Sequence, residues 1–270
     1  MTDSRFAKAA AYERMMGRWS ERLAPLFLEF ARPGDAGRVL DLGCGTGALV
    51  DAVAVRTGAS AIVGIDPSQP FIDYARRRFP EPRFKFDCGD GMALPYPDSS
   101  FNCALSLLVF QFIPQPIKAA NEMRRVTHPG GRVGACVWDS GGGGLEMAKI
   151  FWDEAVKLDG SAANEIPERS LHCNRAGQLT EVWRAAGLEG VEEVALEIQT
   201  EFSDFDDYWV PYSSGVGPQG VYNDRLSTPQ RQALREALRK RLLGDGPDRP
   251  FSLRARAFAV RGTVPLKRAS

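Results

Sequence analysis

The residues with the most chemical content sit close together near the start of the chain. The segment Asp41-Leu42-Gly43-Cys44-Gly45-Thr46-Gly47-Ala48 follows a short apolar run beginning at Arg38 and precedes a helix-like stretch from Ala48 to Thr57. Gly43, Gly45 and Ala48 satisfy the G-x-G-x-x-G/A spacing of a nucleotide-binding turn, in which glycines let the backbone come close to a ligand. A second apolar run, Ala61 to Ile65, ends in Asp66, about 20 residues further on, where a carboxylate can accept both hydroxyls of a ribose. A purely structural turn would leave the Asp66 spacing as coincidence.

Asp41 separates the cofactors that such a turn can take. A nicotinamide or flavin dinucleotide places a doubly anionic pyrophosphate on the turn, and a carboxylate at the strand end opposes it. S-adenosylmethionine carries no phosphate and brings an ammonium and a sulfonium, which Asp41 favours directly or through water. Gly47, completing Gly-x-Gly-x-Gly, also suits a ligand lying against the backbone. Asp41 as a plain acceptor for backbone amides stays open, as does a nicotinamide-dependent oxidoreductase.

Alternating elements must position these groups. The runs at 38 to 42, 61 to 65, 84 to 87, 101 to 108 and 131 to 138 read as buried strands, and 48 to 57, 69 to 79 and 116 to 126 as intervening helices. That rhythm predicts a doubly wound α/β sheet with helices on both faces. Ahead of it, residues 5 to 31 read as two short helices broken at Pro25. After it, Gly141 to Gly144 reads as a flexible turn, 145 to 158 and 176 to 186 as helices, and 191 to 201 as a strand. Residues 202 to 225 read as an aromatic, loop-rich stretch, 228 to 243 as a helix whose Arg231, Arg235 and Arg239 form a solvated basic face, and 251 to 264 as a last strand.

Four blocks resemble, in order, the motifs of class I S-adenosylmethionine-dependent methyltransferases, in the branch similar to ubiquinone and menaquinone biosynthesis enzymes (methyltransferase type 11). Val39 to Gly47 resembles the first motif, and Gly64-Ile65-Asp66-Pro67-Ser68 the ribose-binding strand end. Gly89-Asp90-Gly91-Met92 through Phe101 resembles the motif that puts an acid beside the adenine. Glu122 to Gly131 resembles the stretch leading into the fifth strand. The resemblance implies a Rossmann-like, seven-stranded, mostly parallel sheet with an antiparallel last strand, N-terminal helices and a C-terminal helical and aromatic cap. The expected layout is one structural domain: a lid over 1–37, a cofactor-binding core over 38–140, and completion of the sheet over 141–270 with a cap insertion at about 202–250. Implied cofactor contacts are Asp41, Gly43, Cys44, Gly45, Thr46, Gly47, Asp66, Pro67, Asp90, Gly91 and Met92. Ser106 and Leu107 join them after the fourth strand, and Tyr12 and Trp19 on the closing N-terminal helix. The sequence departs from the family at Asn102, where Asp is common, and at Gln111, where His is frequent.

Methyl transfer from a sulfonium needs positioning in a dry pocket more than covalent help, and a base only where the acceptor loses a proton. His172 is the candidate base, and Trp138, Tyr208, Trp209 and Tyr212 are candidate walls of the acceptor pocket. No Asn-Pro-Pro-Tyr-like sequence, Pro-Cys nucleophile or ligand-spaced cluster is present, so base methylation by those routes and metal dependence are not expected. The chain has 270 residues, with 34 Lys plus Arg against 34 Asp plus Glu and 44% hydrophobic residues, so no general attraction to nucleic acid is expected. No run reaches the roughly 18 to 20 apolar residues of a membrane span, no signal peptide is visible, and the scattered cysteines read as reduced thiols. The expectation is a cytoplasmic enzyme, monomer or homodimer, that methylates a small molecule at oxygen, carbon or nitrogen and yields S-adenosylhomocysteine. A non-catalytic module that binds S-adenosylmethionine is the alternative from a different class.

Overall fold

Val39, Leu40 and Leu42 are buried on both faces of the first strand, β1 (Arg38–Leu42), and a strand apolar on both sides belongs in the middle of a covered sheet. The computed structural model describes residues 17–34, 37–167, 171–213, 215 and 217–266. In it, β1 lies between β2 (Ala61–Asp66) and β4 (Phe101–Leu107) in a seven-stranded sheet. With β3 (Phe84–Cys88), β5 (Thr127–Trp138), β6 (Glu189–Phe202) and β7 (Phe251–Thr263), the order is β3-β2-β1-β4-β5-β7-β6. β1 to β5 are mutually parallel, and β7 runs antiparallel between β5 and β6. This is the doubly wound, Rossmann-like architecture that the alternation and the family motifs implied.

The alternation of side chains along β1 divides the core. Val39 joins the cluster on one face with Phe27, Val53 and Phe151, whereas Leu40 and Leu42 join Met123, Leu179 and Trp183 on the other. Helices α1 (Arg18–Ala31), α2 (Ala48–Arg56), α3 (Gln69–Arg78) and α5 (Glu146–Leu158) cover the first face. Helices α4 (Pro116–Val126) and α6 (Gln178–Ala185) cover the second, where the Trp183 indole donates to the Val133 carbonyl at 3.0 Å.

Four expectations need correction. Residues 18–31 form one helix that runs through Pro25 rather than two helices broken there. The buried stripe Trp19, Leu23, Phe27 and Ala31 holds it, while Glu21, whose carbonyl loses its intrahelical donor to the proline, is exposed. The stretch 202–225 is not loop-rich. It folds into α7 (Phe205–Trp209), a 3-10 turn (Val210–Ser213) and α8 (Gly217–Arg225), tied by rings of Phe151, Tyr208, Tyr212 and Tyr222 at centroid separations of 5.0–6.2 Å. The arginines of α9 (Thr228–Leu243) are ties to the cap: Arg231 donates to the Asn223 carbonyl, Arg235 pairs with Asp206, and Arg239 donates to the Gly246 carbonyl.

The four-glycine run is also more than a flexible turn, because it wraps the buried carboxylate of Asp139. That group accepts from the Gly142 amide at 2.9 Å and pairs with the Arg256 guanidinium at 2.6 Å. A Cβ on Gly142 would collide with the same carboxylate. Gly142→Ala is therefore expected to cost about 1–3 kcal/mol, read as a lower denaturant midpoint, through forced displacement of the turn. An unchanged midpoint would mean that the turn moves freely.

Candidate cofactor and acceptor site

The chain leaves β1 toward β2 and β3 on one side and returns to β4 on the other, so the carboxyl end of β1 faces the crevice where strand order reverses. A cavity of about 360 Å³ opens there. Asp41, Gly43, Cys44, Gly45, Thr46, Asp66, Pro67 and Leu107 line it. Gly43 and Gly47 have φ of 75° and 95°, and a Cβ would strike Val109 at the first and Phe79 at the second. Glycine is thus required at both positions by conformation and by space. Gly47 does not line the cavity and instead caps α2, whose first residues, Ala48 and Leu49, do line it.

Asp66 organises the turn. Its carboxylate accepts from the Gly45 amide at 3.1 Å and from the Ser68 amide at 2.8 Å, linking the glycine turn to the end of β2. Burial pushes its pKa up, and the two amide hydrogen bonds pull in the other direction. Asp90, Gly91 and Met92 do not line the cavity. They form a turn after β3 in which exposed Asp90 accepts from the Met92 amide at 2.8 Å, next to Gly89, whose amide bonds the Asp66 carbonyl at 3.1 Å. This turn leads into a segment pinned by Arg125, which reaches Glu122, Asp98 and the carbonyls of Tyr96 and Leu94. Ser106 is buried, and its hydroxyl donates to the Leu42 carbonyl at 2.8 Å, fastening β4 to β1 below the site. Trp19 is buried against Phe202 at 5.5 Å, beside a different cleft, while Gly17 and Ser20 bring α1 to the cofactor cavity. Tyr12 lies outside the described residues.

Asp41 is the electrostatic centre. It is 1% exposed, and neither carboxylate oxygen has a hydrogen-bond partner among the described residues. Burial first, and the neighbouring Asp66 second, raise its pKa to about 8. The reading of Asp41 as a backbone acceptor therefore does not hold. An unpaired buried acid facing a cavity suits a cation such as an α-ammonium group, which would restore its charge. Burial also raises the Cys44 thiol well above its ordinary value, which keeps it a neutral wall.

A second, smaller cavity of about 140 Å³ adjoins the first and shares Leu108 and Phe112 with it. Trp138 and Tyr212 line this cavity. Tyr208 and Trp209 pack behind it, the former donating to the Met147 carbonyl at 2.9 Å and the latter stacked on Phe205. The His172 side chain is exposed and lines neither cavity. Its amide donates to the Gln111 carbonyl at 3.0 Å, closing the loop over the turn that follows β4. The sequence reading marked Gln111 only as a departure from the family and missed Leu108 and Phe112, although the end of β4 flanks the crevice and the switch-point rule alone directs attention to the segment that follows it. Asn102, the departure from the family, accepts from the Arg38 amide at 2.8 Å, a role that its amide oxygen fills.

The sequence and the fold have counterparts in known proteins. Residues 40–134 match the methyltransferase domain family. A malonyl-[acyl-carrier protein] O-methyltransferase of Erwinia pyrifoliae is 37% identical over 86% of this chain and 82% of its own length. A demethylmenaquinone methyltransferase of Thermus thermophilus is 36% identical over 43% of this chain and 52% of its own. The chain spans 32% and 46% of two further curated relatives. A solved phosphoethanolamine N-methyltransferase of Haemonchus contortus, in complex with S-adenosyl-L-methionine, superposes with a TM-score of 0.60 at 17% identity, covering 96% of this chain and 57% of that one. The chain belongs to the class I S-adenosylmethionine-dependent methyltransferases. S-adenosylmethionine is its cofactor, and the nicotinamide alternative falls with that assignment. No helix among the described residues is long and apolar enough to cross a membrane.

The charge state of Asp41 makes a stability prediction. An acid with its folded-state value raised to about 8 is protonated when folded and ionised when unfolded above about pH 4, so the unfolded state binds fewer protons in that window. Its contribution to stability, complete below about pH 4, is lost as the pH rises to about 8, with a slope of up to about 1.4 kcal/mol per pH unit. Across this range, denaturation of the cofactor-free protein should differ from that of Asp41→Asn by up to that slope, the stability of the unsubstituted protein falling relative to the variant as pH rises. Parallel pH profiles for the two proteins would contradict the assignment.

Proposed function

We propose that the protein transfers a methyl group from S-adenosylmethionine to a small-molecule acceptor by direct in-line displacement. The observation that carries this reading is the pair of adjoining cavities, one with an unpaired acid and a glycine turn, the other largely apolar, meeting at Leu108 and Phe112. When bound, the cofactor supplies an electrophilic methyl group whose bonding pair leaves with sulfur as the acceptor's lone pair takes the carbon.

The protein's own residues hold and orient. Asp41 would take the ammonium end and Asp66 the ribose, while the turn at Asp90 to Met92, outside the cavity but joined to its Asp66 end through Gly89, would border an adenine that extends past Asp66. Leu108 and Phe112 would border the reacting centre, and the apolar walls Leu145, Met147 and Ala148 would exclude water from it. His172, exposed and outside both cavities, is not needed in this scheme, and a proton released by an acceptor would reach solvent as the product leaves. The relationship to the malonyl-[acyl-carrier protein] enzyme supports a second reading, in which the acceptor is an acyl group presented by a carrier protein.

Ala148 lines only the smaller cavity, so Ala148→Phe should fill it. With labelled S-adenosylmethionine and a pool of candidate acceptors, turnover should fall at least about tenfold while affinity for S-adenosylhomocysteine stays unchanged. Full turnover by a folded Ala148→Phe protein would rule out this cavity as the acceptor site.

A further inference from the structure

The smaller cavity is lined by three residues that carry buried side-chain polar atoms with no hydrogen-bond partner: the amide oxygen of Gln111, the indole nitrogen of Trp138 and the hydroxyl of Ser140. A buried polar atom left unpaired costs on the order of 1–3 kcal/mol, so three on the residues of one pocket call for a ligand that pairs with them. Their types specify it. The Gln111 oxygen only accepts, the Trp138 N–H only donates, and the Ser140 hydroxyl does either. A hydroxyl group meets both demands at once, with its proton to Gln111 and its lone pair to Trp138.

Size and polarity narrow the class further. A volume of about 140 Å³ is close to that of an engineered apolar cavity, of about 150 Å³, that takes up benzene. Apart from Tyr212 and Gln219, the remaining walls, among them Leu108, Phe112, Leu145 and Met147, are apolar, and the described lining residues include no Lys, Arg or His. An anionic oxygen here would lose its hydration with no cationic side chain among the described lining residues to compensate it. Gln111 occupies the 3-10 turn after β4, beside Phe112, which both cavities share, and its backbone carbonyl is tied by the His172 amide at 3.0 Å.

We propose that the acceptor is a neutral molecule whose bound end is a single ring carrying a hydroxyl group, selected by Gln111 and Trp138, with Ser140 as an auxiliary partner. This proposal rests on the methyltransferase reading of the two cavities and adds the acceptor's chemical class to it.

The test is calorimetric titration of the protein saturated with S-adenosylhomocysteine, using three probes of nearly equal shape: 4-ethylphenol, ethylbenzene and 4-ethylbenzoate. The phenol should bind at least about tenfold more tightly than either of the others. Gln111→Leu should remove that preference while leaving ethylbenzene affinity in place. Trp138→Phe should weaken the phenol with S-adenosylhomocysteine affinity intact, which certifies the fold if Gln111→Leu proves unstable. Tightest binding of the benzoate, equal binding of phenol and ethylbenzene, or no binding of any probe to the saturated protein would overturn the proposal. Failure of S-adenosylhomocysteine itself to bind would instead count against the two-cavity reading beneath it.

Discussion

A carboxylate buried at the carboxyl end of a central strand, with neither oxygen hydrogen-bonded among the described residues, sets the terms for the rest of the site. Leaving an ionised acid in such a place is unfavourable, and the protein responds by holding Asp41 protonated near neutrality, with its pKa raised to about 8. A cation placed against it, as in the proposed function, would favour the ionised form. Asp66, the second acid, is treated differently, since two backbone amides from the glycine turn and the β2 end satisfy it. One acid waits for a charge, and the other shapes the backbone around it.

The surrounding structure keeps this contrast in place. Gly43 and Gly47 adopt conformations and close approaches that a side chain would prevent, which brings the turn against Val109 and Phe79. Ser106 ties β4 to β1 at Leu42, and the Arg125 cluster fixes the segment after β3 from the far face of the sheet. On the acceptor side, the Asp139–Arg256 pair joins the end of β5 to β7 and anchors the glycine run beginning next to Ser140. Stability and site geometry thus draw on the same contacts, and the cap rings complete the enclosure rather than supply the chemistry.

The cofactor half was legible because local rules and tertiary structure agree there. The strand, glycine turn, helix and second-strand acid each carry a short-range signal, and the alternation leading to Trp138 forces a parallel sheet. The N-terminal helix was misread at Pro25 because a buried stripe from Trp19 to Ala31 outweighs one missing hydrogen bond. The cap between 202 and 225 was misread because its aromatics obtain helical structure from one another and from α5, contacts remote in sequence. Trp19, Tyr208 and Trp209 show the same limit, since an aromatic residue reveals burial but not which cavity it faces. Gln111 stood out in the sequence only as a missing histidine. Its unpaired oxygen beside the cavity emerges only when β4, β5 and the cap are assembled.

The account turns on Asp41 exchanging a proton for a ligand cation. Calorimetric titration with S-adenosylhomocysteine near pH 7, repeated in buffers of different ionisation enthalpy, counts that proton directly. Release approaching one proton per ligand bound, abolished in Asp41→Asn, is the predicted result. Tight binding with no proton release, or equal release from the Asn variant, would contradict the claim that the buried acid receives the cofactor's ammonium group.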